Sequence, residues 1–214
     1  MSIKLKSVYK RHGKEEVLSG INLEISDGEF LVIKGKDEET KVFLDVLRGV
    51  EKVTSGTIVI SGYDVKTMKR RERRNLYQTV FGVVSQDFQD NISIMDNISL
   101  PGFFADMSKI ERKTRVKTMA KNLGLSEIST KKPSSLTKSL FVKAMVARAC
   151  FMNPKIILAN EPTKNLNADD SKVLLSLLKN FSKTTRATII ITSNDNNIEK
   201  FATKVLKFSE GKLV

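Results

Sequence analysis

Gly35 closes the apolar run Phe30-Leu31-Val32-Ile33-Lys34, and Lys41 follows six residues later. A strand ending in glycine that leads into a helix, with a lysine at that distance, is the frame of the phosphate-binding loop G-x-x-x-x-G-K-[ST]. Such a loop works because bare backbone N–H groups wrap phosphate oxygens, which calls on glycine's dihedral freedom and its lack of a side chain. In this frame Thr40 stands at the second glycine and Val42 at the metal-binding hydroxyl. Lys36-Asp37-Glu38-Glu39 fill the interior and set three carboxylates where a triphosphate would sit. Like charges in a partly desolvated pocket repel strongly, and valine offers Mg²⁺ no oxygen. Taken alone, the segment fits an ordinary strand–turn–helix better than a working phosphate loop.

A second stretch changes the balance. From Pro133 to Thr163 the chain reads PSSLTKSLFVKAMVARACFMNPKIILANEPT. Without a gap it resembles the part of ABC ATPases that runs from the Leu-Ser-Gly-Gly-Gln signature to the Walker B motif. Ala147-Arg148-Ala149, Asn153-Pro154-Lys155, the apolar Ile156 to Ala159, and Glu161-Pro162-Thr163 all fall in that register. Gln86 occupies the Q-loop position after Phe81-Gly82-Val83-Val84-Ser85. Ser55-Gly56-Thr57, Ser61-Gly62, Asp96-Asn97-Ile98 and Leu100-Pro101 match further landmarks, and the closing FSEGKLV looks like the domain's last hairpin. The resemblance covers essentially the whole chain. Within the family, its length and its Asn-Ile-Ser-Leu-Pro block resemble the short subfamily that serves lipoprotein-release, macrolide-exporter and cell-division permeases.

The resemblance assigns roles, and most of the residues found there are the wrong ones. It implies a site for ATP and Mg²⁺ sandwiched between the phosphate loop of one subunit and the signature of another. Gly35, Thr40, Lys41 and Val42 stand at the phosphate loop, Gln86 at the Q-loop, and Asn160 where Walker B carries a metal-binding Asp. Glu161 keeps the position of the water-activating base, and Ser193 stands where the switch His senses the γ-phosphate. The signature reads Leu136-Thr137-Lys138-Ser139-Leu140, without its glycines or glutamine. The D-loop acid has become Asn167, and Tyr9 stands as the aromatic that could stack on adenine. The chain's one histidine, His12, reads as a solvated loop residue. Phosphoryl transfer rests on positioning and charge stabilisation, and loss of one such donor typically costs ~10²–10³ in rate. The expectation is a pseudo-ATPase that binds MgATP weakly or not at all and ligates no metal. As the resemblance has it, the chain docks on an integral-membrane permease and pairs with another ABC subunit as a homo- or heterodimer. Rescue by an active partner is less attractive than usual, because this chain's signature is also spoiled. A weakly active ATPase using Glu161 and Lys41 is the alternative, and a basic nucleic-acid-associated ABC protein is the next.

The elements that must position these groups are legible from periodicity. IKLKSVYK, INLEIS, EFLVIKG and TIVISG read as strands bounded by glycine turns, including one at Asp27-Gly28. Val42, Phe43, Val46 and Leu47 recur at helical spacing after Gly35. FGVVSQ, KIILAN and ATIIITS lack polar alternation, as central parallel strands do. A helical pattern spans about Ser108 to Met152, with a new start at Pro133-Ser134, and another helix runs from Asp169 to about Ser182. Strands alternating with helices give an α/β class, and the resemblance implies a P-loop NTPase-like ABC ATPase domain with an N-terminal antiparallel β subdomain and an inserted α-helical subdomain. One domain is expected over 1–214, with a core lobe at about 1–87 and 153–214 and a helical lobe at about 88–152.

Composition narrows the setting. A formal net charge of +13 invites nucleic acid or an anionic membrane as partner, with the run Lys69 to Arg74 as its sharpest cluster and a looser basic helix from Lys109 to Lys121. No aromatics interleave with the first run, as single-strand platforms require, so nucleic acid is the unlikely partner. No run approaches the ~20 apolar residues of a spanning helix, and MSIKLKSVYKRHGK is not a secretory signal. The single Cys150 sits in an apolar stretch and reads as core filler. A cytoplasmic place, peripheral on the inner face of the cell membrane, is expected.

Overall fold

The computed structural model describes residues 3–128 and 130–214. Met1, Ser2 and Ser129, which the expected domain includes, lie outside the described residues. The N-terminal part is a long antiparallel hairpin, β1 (Ile3–His12) and β2 (Glu15–Ile25), followed by β3 (Phe30–Lys34) and α1 (Asp37–Leu47). Then come β4 (Ser55–Ile60), β5 (Tyr63–Asp64), α2 (Arg70–Thr79) and β6 (Phe81–Val84). The middle is helical: α3 (Ile94–Phe104), α4 (Lys109–Leu123) and α5 (Lys138–Cys150). The chain closes with β7 (Ile156–Asn160), α6 (Ala168–Thr185), β8 (Thr188–Thr192), β9 (Lys204–Ser209) and β10 (Lys212–Leu213).

Two sheets follow from this order. One is antiparallel, β2-β1-β4-β5; the other runs β10-β9-β3-β8-β7-β6. In the second, β9, β3, β8, β7 and β6 pair in parallel and β10 adds an antiparallel edge. β3, β7 and β8 are apolar on both faces because helices or the other sheet cover both, and nearly every residue in them is buried. The α/β class and its antiparallel subdomain are as expected. The apolar stripe of α1, with Val42, Phe43, Val46 and Leu47 all nearly inaccessible, packs between the two sheets.

α5 joins the two halves. Val142, Met145, Val146 and Ala149 pack toward β7, β8 and α6, while Ala144, Ala147 and Phe151 pack with α3 and α4. Cys150 is buried, and burial pushes its thiol up to about 12, so it is apolar filler as expected. Two glycines allow close backbone approach. A Cβ on Gly82 in β6 would stand 2.2 Å from the Ala149 carbonyl oxygen of α5, and one on Gly56, whose φ is +90°, equally close to the Ser7 oxygen.

The helix boundaries depart from expectation in two places. Pro133–Ser135 makes only a single 3₁₀ turn, Leu136 is extended, and α5 starts at Lys138, capped by the Thr137 hydroxyl, which accepts from Leu140 N–H at 3.4 Å. Residues 94–104 form a helix despite Pro101, because the Ser93 hydroxyl caps its start and accepts from Asp96 N–H at 3.1 Å.

Candidate functional site

The segment from Gly35 to Val42 is not a loop. Lys36 is extended and α1 begins at once with Asp37, so residues 37–41, expected in phosphate-loop frame ahead of the helix at Val42, are already helical, a correction. The cause is local. With no glycine after position 35 the chain gains nothing by staying open, and acids at the first three helical positions face the positive end of the helix dipole. Glu39 completes the turn by reaching back, its Oε2 accepting from Lys36 N–H at 3.0 Å. Its Oε1 accepts from Gly211 N–H at 2.9 Å, and the carboxylate is buried. Gly35 is clamped from the far side by Asn194, whose Oδ1 accepts from Gly35 N–H at 3.3 Å and whose Nδ2 donates to the Gly35 carbonyl at 2.9 Å.

Helical geometry then sorts the expected ligands. Asp37, Lys41 and Leu44 share one face of α1 and, with Arg48 just past its end, line a cleft of about 640 Å³. Thr40 points inward, its hydroxyl donating to the Lys36 and Asp37 carbonyls at 3.2 and 3.1 Å. Val42 lies in the core. The three carboxylates are likewise not gathered in the cleft. Asp37 lines it, Glu38 is exposed and turned to His12, and Glu39 is turned to Gly211.

The opposite wall of the cleft comes from the ends of β6 and β7. Gln86, Asn160 and Glu161 line it with Lys164 and Asn165, and Gln86 Nε2 donates to the Lys164 carbonyl at 2.8 Å. Glu161 adopts a left-handed backbone, φ 42°. Its Oε2 accepts from the Ser193 hydroxyl at 2.8 Å and its Oε1 from Asn194 N–H at 3.1 Å. The expected base and the switch-position serine are thus in direct contact, and Ser193 is buried. Asn160 Oδ1 accepts from the Thr192 hydroxyl at 2.6 Å. Lys41 and Glu161, the two retained chemical groups, face the same cleft. It also holds Arg48, a cation that sequence reasoning missed and that the i, i+7 spacing from Lys41 on α1 signals.

Other expected residues lie apart. Leu136 to Leu140 lead into α5 and line no part of the cleft; Leu136 and Leu140 pack on the helical core, while Thr137, Lys138 and Ser139 are exposed. Asn167, at the D-loop acid position, caps α6, its Oδ1 accepting from Asp170 N–H at 2.8 Å. Tyr9 sits within β1 with its ring over Gly20 and lines no part of the cleft. The ring placed at the start of α1 is that of His12. It ends β1 rather than lying in a loop, with Nδ1 3.5 Å from Glu38 and Nε2 3.0 Å from Glu51. The period-2 alternation that puts Lys10 and His12 on one face of β1, both reaching Glu51, was the available signal.

A family model described as ABC transporter matches residues 18–164. The chain belongs to the ABC transporter ATP-binding family. It is 30% identical to an uncharacterised ABC transporter ATP-binding protein, MJ1508 of Methanocaldococcus jannaschii, over 99% of this chain and 97% of that protein. It is also 30% identical to a macrolide export ATP-binding/permease protein, MacB of Vibrio parahaemolyticus, over 92% of this chain and 31% of that longer protein. A dimeric structure of the ATP-binding cassette MJ0796 bound to ADP and Pi superposes with a TM-score of 0.86 at 26% identity, covering 99% and 96% of the two chains.

Arg148, in Ala147-Arg148-Ala149, holds the backbone on either side of Gln86. Its guanidinium donates to the Asp87 and Ser85 carbonyls at 2.5 and 2.7 Å and lies over the Phe88 ring at 4.0 Å. Burial lowers its pKa, partly offset by Asp87, but guanidinium stays charged. Arg148→Met is expected to lower unfolding free energy by about 2–4 kcal/mol, since two charged donors to partly buried carbonyls and a ring contact go together. Urea denaturation checks it; a loss under about 0.5 kcal/mol, the range of an ordinary surface change, would refute it.

His12 supplies a pH-dependent contact. Its hydrogen bond to Glu51 raises its pKa above the ordinary 6.5, opposed by slight desolvation and aided by the Glu51 and Glu38 carboxylates. A raised folded-state value means the contact stabilises fully below the unfolded value and fades as pH rises through the folded value. Because the chain has one histidine, a single imidazole signal reports this by NMR titration. In Glu51→Gln its midpoint is expected to fall; an unmoved midpoint would remove Glu51 as the cause.

Proposed function

We propose that this chain is an ABC-transporter subunit whose nucleotide site is closed by its own side chains, leaving ATP binding and hydrolysis weak or absent and its role structural or regulatory. It docks on a membrane permease at the inner face of the cell membrane, as the joined ATP-binding and permease parts of MacB suggest. It pairs with another ABC subunit, as the MJ0796 cassette is dimeric. One observation carries the reading. Residues 37–40, whose amides a glycine-rich phosphate loop would turn to nucleotide, are wound into the first turn of α1, and the buried Glu39 carboxylate fastens that turn to Lys36 N–H and Gly211 N–H. A phosphate entering there must displace a buried carboxylate and unwind a helical turn, and both cost free energy. The losses of the metal hydroxyl, the Walker B Asp and the switch His act in the same direction.

A weakly active ATPase is the second reading, favoured by Lys41 and Glu161 lining one cleft. Isothermal titration of the full chain with millimolar MgATP separates the two. No saturable heat is expected, whereas micromolar affinity would sink the closed-site reading. Glu161→Gln is expected to match the parent in phosphate release and dimerisation. A large loss of turnover would promote Glu161 to a general base.

A further inference from the structure

We propose that the groove between α4, α5 and α6 binds one long-chain carboxylate, its acyl chain along an apolar floor and its carboxylate at Arg115. The groove encloses about 440 Å³, inside the range of about 300–1,000 Å³ usual for small-ligand sites, which are mostly apolar with a few placed polar groups. It shares no lining residue with the cleft that holds Lys41 and Glu161. Helical spacing builds it. Arg115 and Met119 stand one turn apart on α4, as do Leu177 and Phe181 on α6, and α5 supplies the floor with buried Val146 and Cys150. Met119, Leu177 and Phe181 are only half-buried, packed on the core from one side and open to the groove on the other. The core clusters of the two lobes meet at Met119, which packs against both, and leave this seam uncovered.

The chemistry of the lining selects the occupant. No carboxylate lines the groove, and its one charged side chain is Arg115. Cys150 on the floor stays an uncharged thiol at neutral pH, because burial pushes it up to about 12. The Arg115 guanidinium donates through Nη1 to the Phe151 carbonyl at 3.3 Å and stands 5.8 Å from the Phe151 ring, which leaves most of its N–H donors open. Glu111, one turn earlier and the only acid on α4, feels the Arg115 charge but makes no ion pair with it; its carboxylate is bonded to Ser108 N–H at 3.0 Å. A carboxylate entering the groove therefore meets a guanidinium fork matched to its own geometry. The Asn122 and Asn180 amides, which also line the groove, add donors. A neutral or cationic chain would gain the floor without the fork.

Isothermal titration of the full chain with sodium dodecanoate, kept below micelle formation, tests it. One saturable equivalent is expected. Octanoate, four methylenes shorter, should bind at least about tenfold more weakly, since each buried methylene is worth about fourfold in affinity. Dodecyltrimethylammonium, with the same tail and the opposite charge, should show no saturable site. Arg115→Gln should weaken dodecanoate at least about tenfold through the lost charged donors. Asn180→Trp, which sets an indole in the groove, should weaken it as much or more. Lys172→Gln removes the same charge from an exposed site on α6 outside the groove and should change affinity by less than about twofold. All three positions are exposed, so circular dichroism should be unchanged. Absence of a saturable site, or equal affinity for octanoate or for the ammonium amphiphile, would overturn the proposal. So would affinity unmoved in either groove variant, or lowered as much by Lys172→Gln as by Arg115→Gln.

Discussion

Rebuilding residues 37–42 as a glycine-rich segment ending in Lys-Ser is expected to take the chain from no measurable titration at millimolar MgATP to a Kd on the order of 10 µM, about 3 kcal/mol or more. Glu39 is the reason a full rebuild is needed. Its carboxylate bonds both Lys36 N–H and Gly211 N–H and so fastens the first turn of α1; removing it releases that turn, and glycines let it open so that its amides face the phosphates. A serine at position 42 adds the oxygen that Mg²⁺ requires, provided the open loop turns that position from the core to the cleft. By contrast, Asn160→Asp or Ser193→His alone leaves the turn at residues 37–40 wound, and groups that act as a unit do not recover singly. Both point variants are expected to stay at background phosphate release, and hydrolysis in the rebuilt loop should still await the Walker B, switch and signature repairs. Nucleotide affinity and phosphate release across the series measure this. Robust turnover in either point variant would mean the wound turn is no barrier.

Gly82→Ala is expected to cost about 4 kcal/mol, at the upper end of single-substitution effects. The added Cβ would stand 2.2 Å from the Ala149 carbonyl oxygen and 2.8 Å from Pro154 Cγ. Neither the α5 backbone nor a proline ring can yield cheaply. Separation of α5 from β6 would also loosen the Arg148 bonds to Ser85 and Asp87, which place Gln86 at the cleft. Gly62→Ala is the control: nothing lies within 4 Å of its Cβ, and only its φ of +83° opposes the change, worth about 1 kcal/mol. Urea midpoints at unchanged m-value compare the two. If Gly82→Ala loses no more than Gly62→Ala, the close approach of β6 and α5 is not what fixes position 82.

What the sequence made legible was whatever depends on apolar period and on motif order. β3, β7 and β8 carry unbroken apolar runs, and α1 shows its buried stripe directly. The register from Thr137 to Thr163 locates Asn160 and Glu161 at the end of a central strand. The gaps have physical causes. Whether residues 36–40 form a loop or a helix depends on Glu39 meeting Gly211, a partner 172 residues away, and local propensity carries no record of it. Tyr9 lies away from the cleft because its place within β1 sets its ring over Gly20, while Lys10 and His12 share the face of the strand that meets Glu51. Pro101 reads as a breaker, yet α3 runs three residues past it. Asn194 had no motif to announce it, although it joins Gly35 and Glu161 in one hydrogen-bonded group.

The order of strands in the larger sheet also sets a timetable for synthesis. Phe30 is paired with Ile189 and Leu31 with Lys204, so β3 leaves the ribosome long before either of its neighbours exists. At typical elongation rates of about 5–20 residues per second, that interval is roughly ten to thirty seconds. For that time an apolar Phe-Leu-Val-Ile run has only the β1–β2 hairpin and α1 to shield it. Glu39 waits longer still for Gly211. The nascent chain therefore holds an apolar strand unpaired through most of translation, and the turn from Gly35 to Glu39 is among the last parts of the molecule to be assembled.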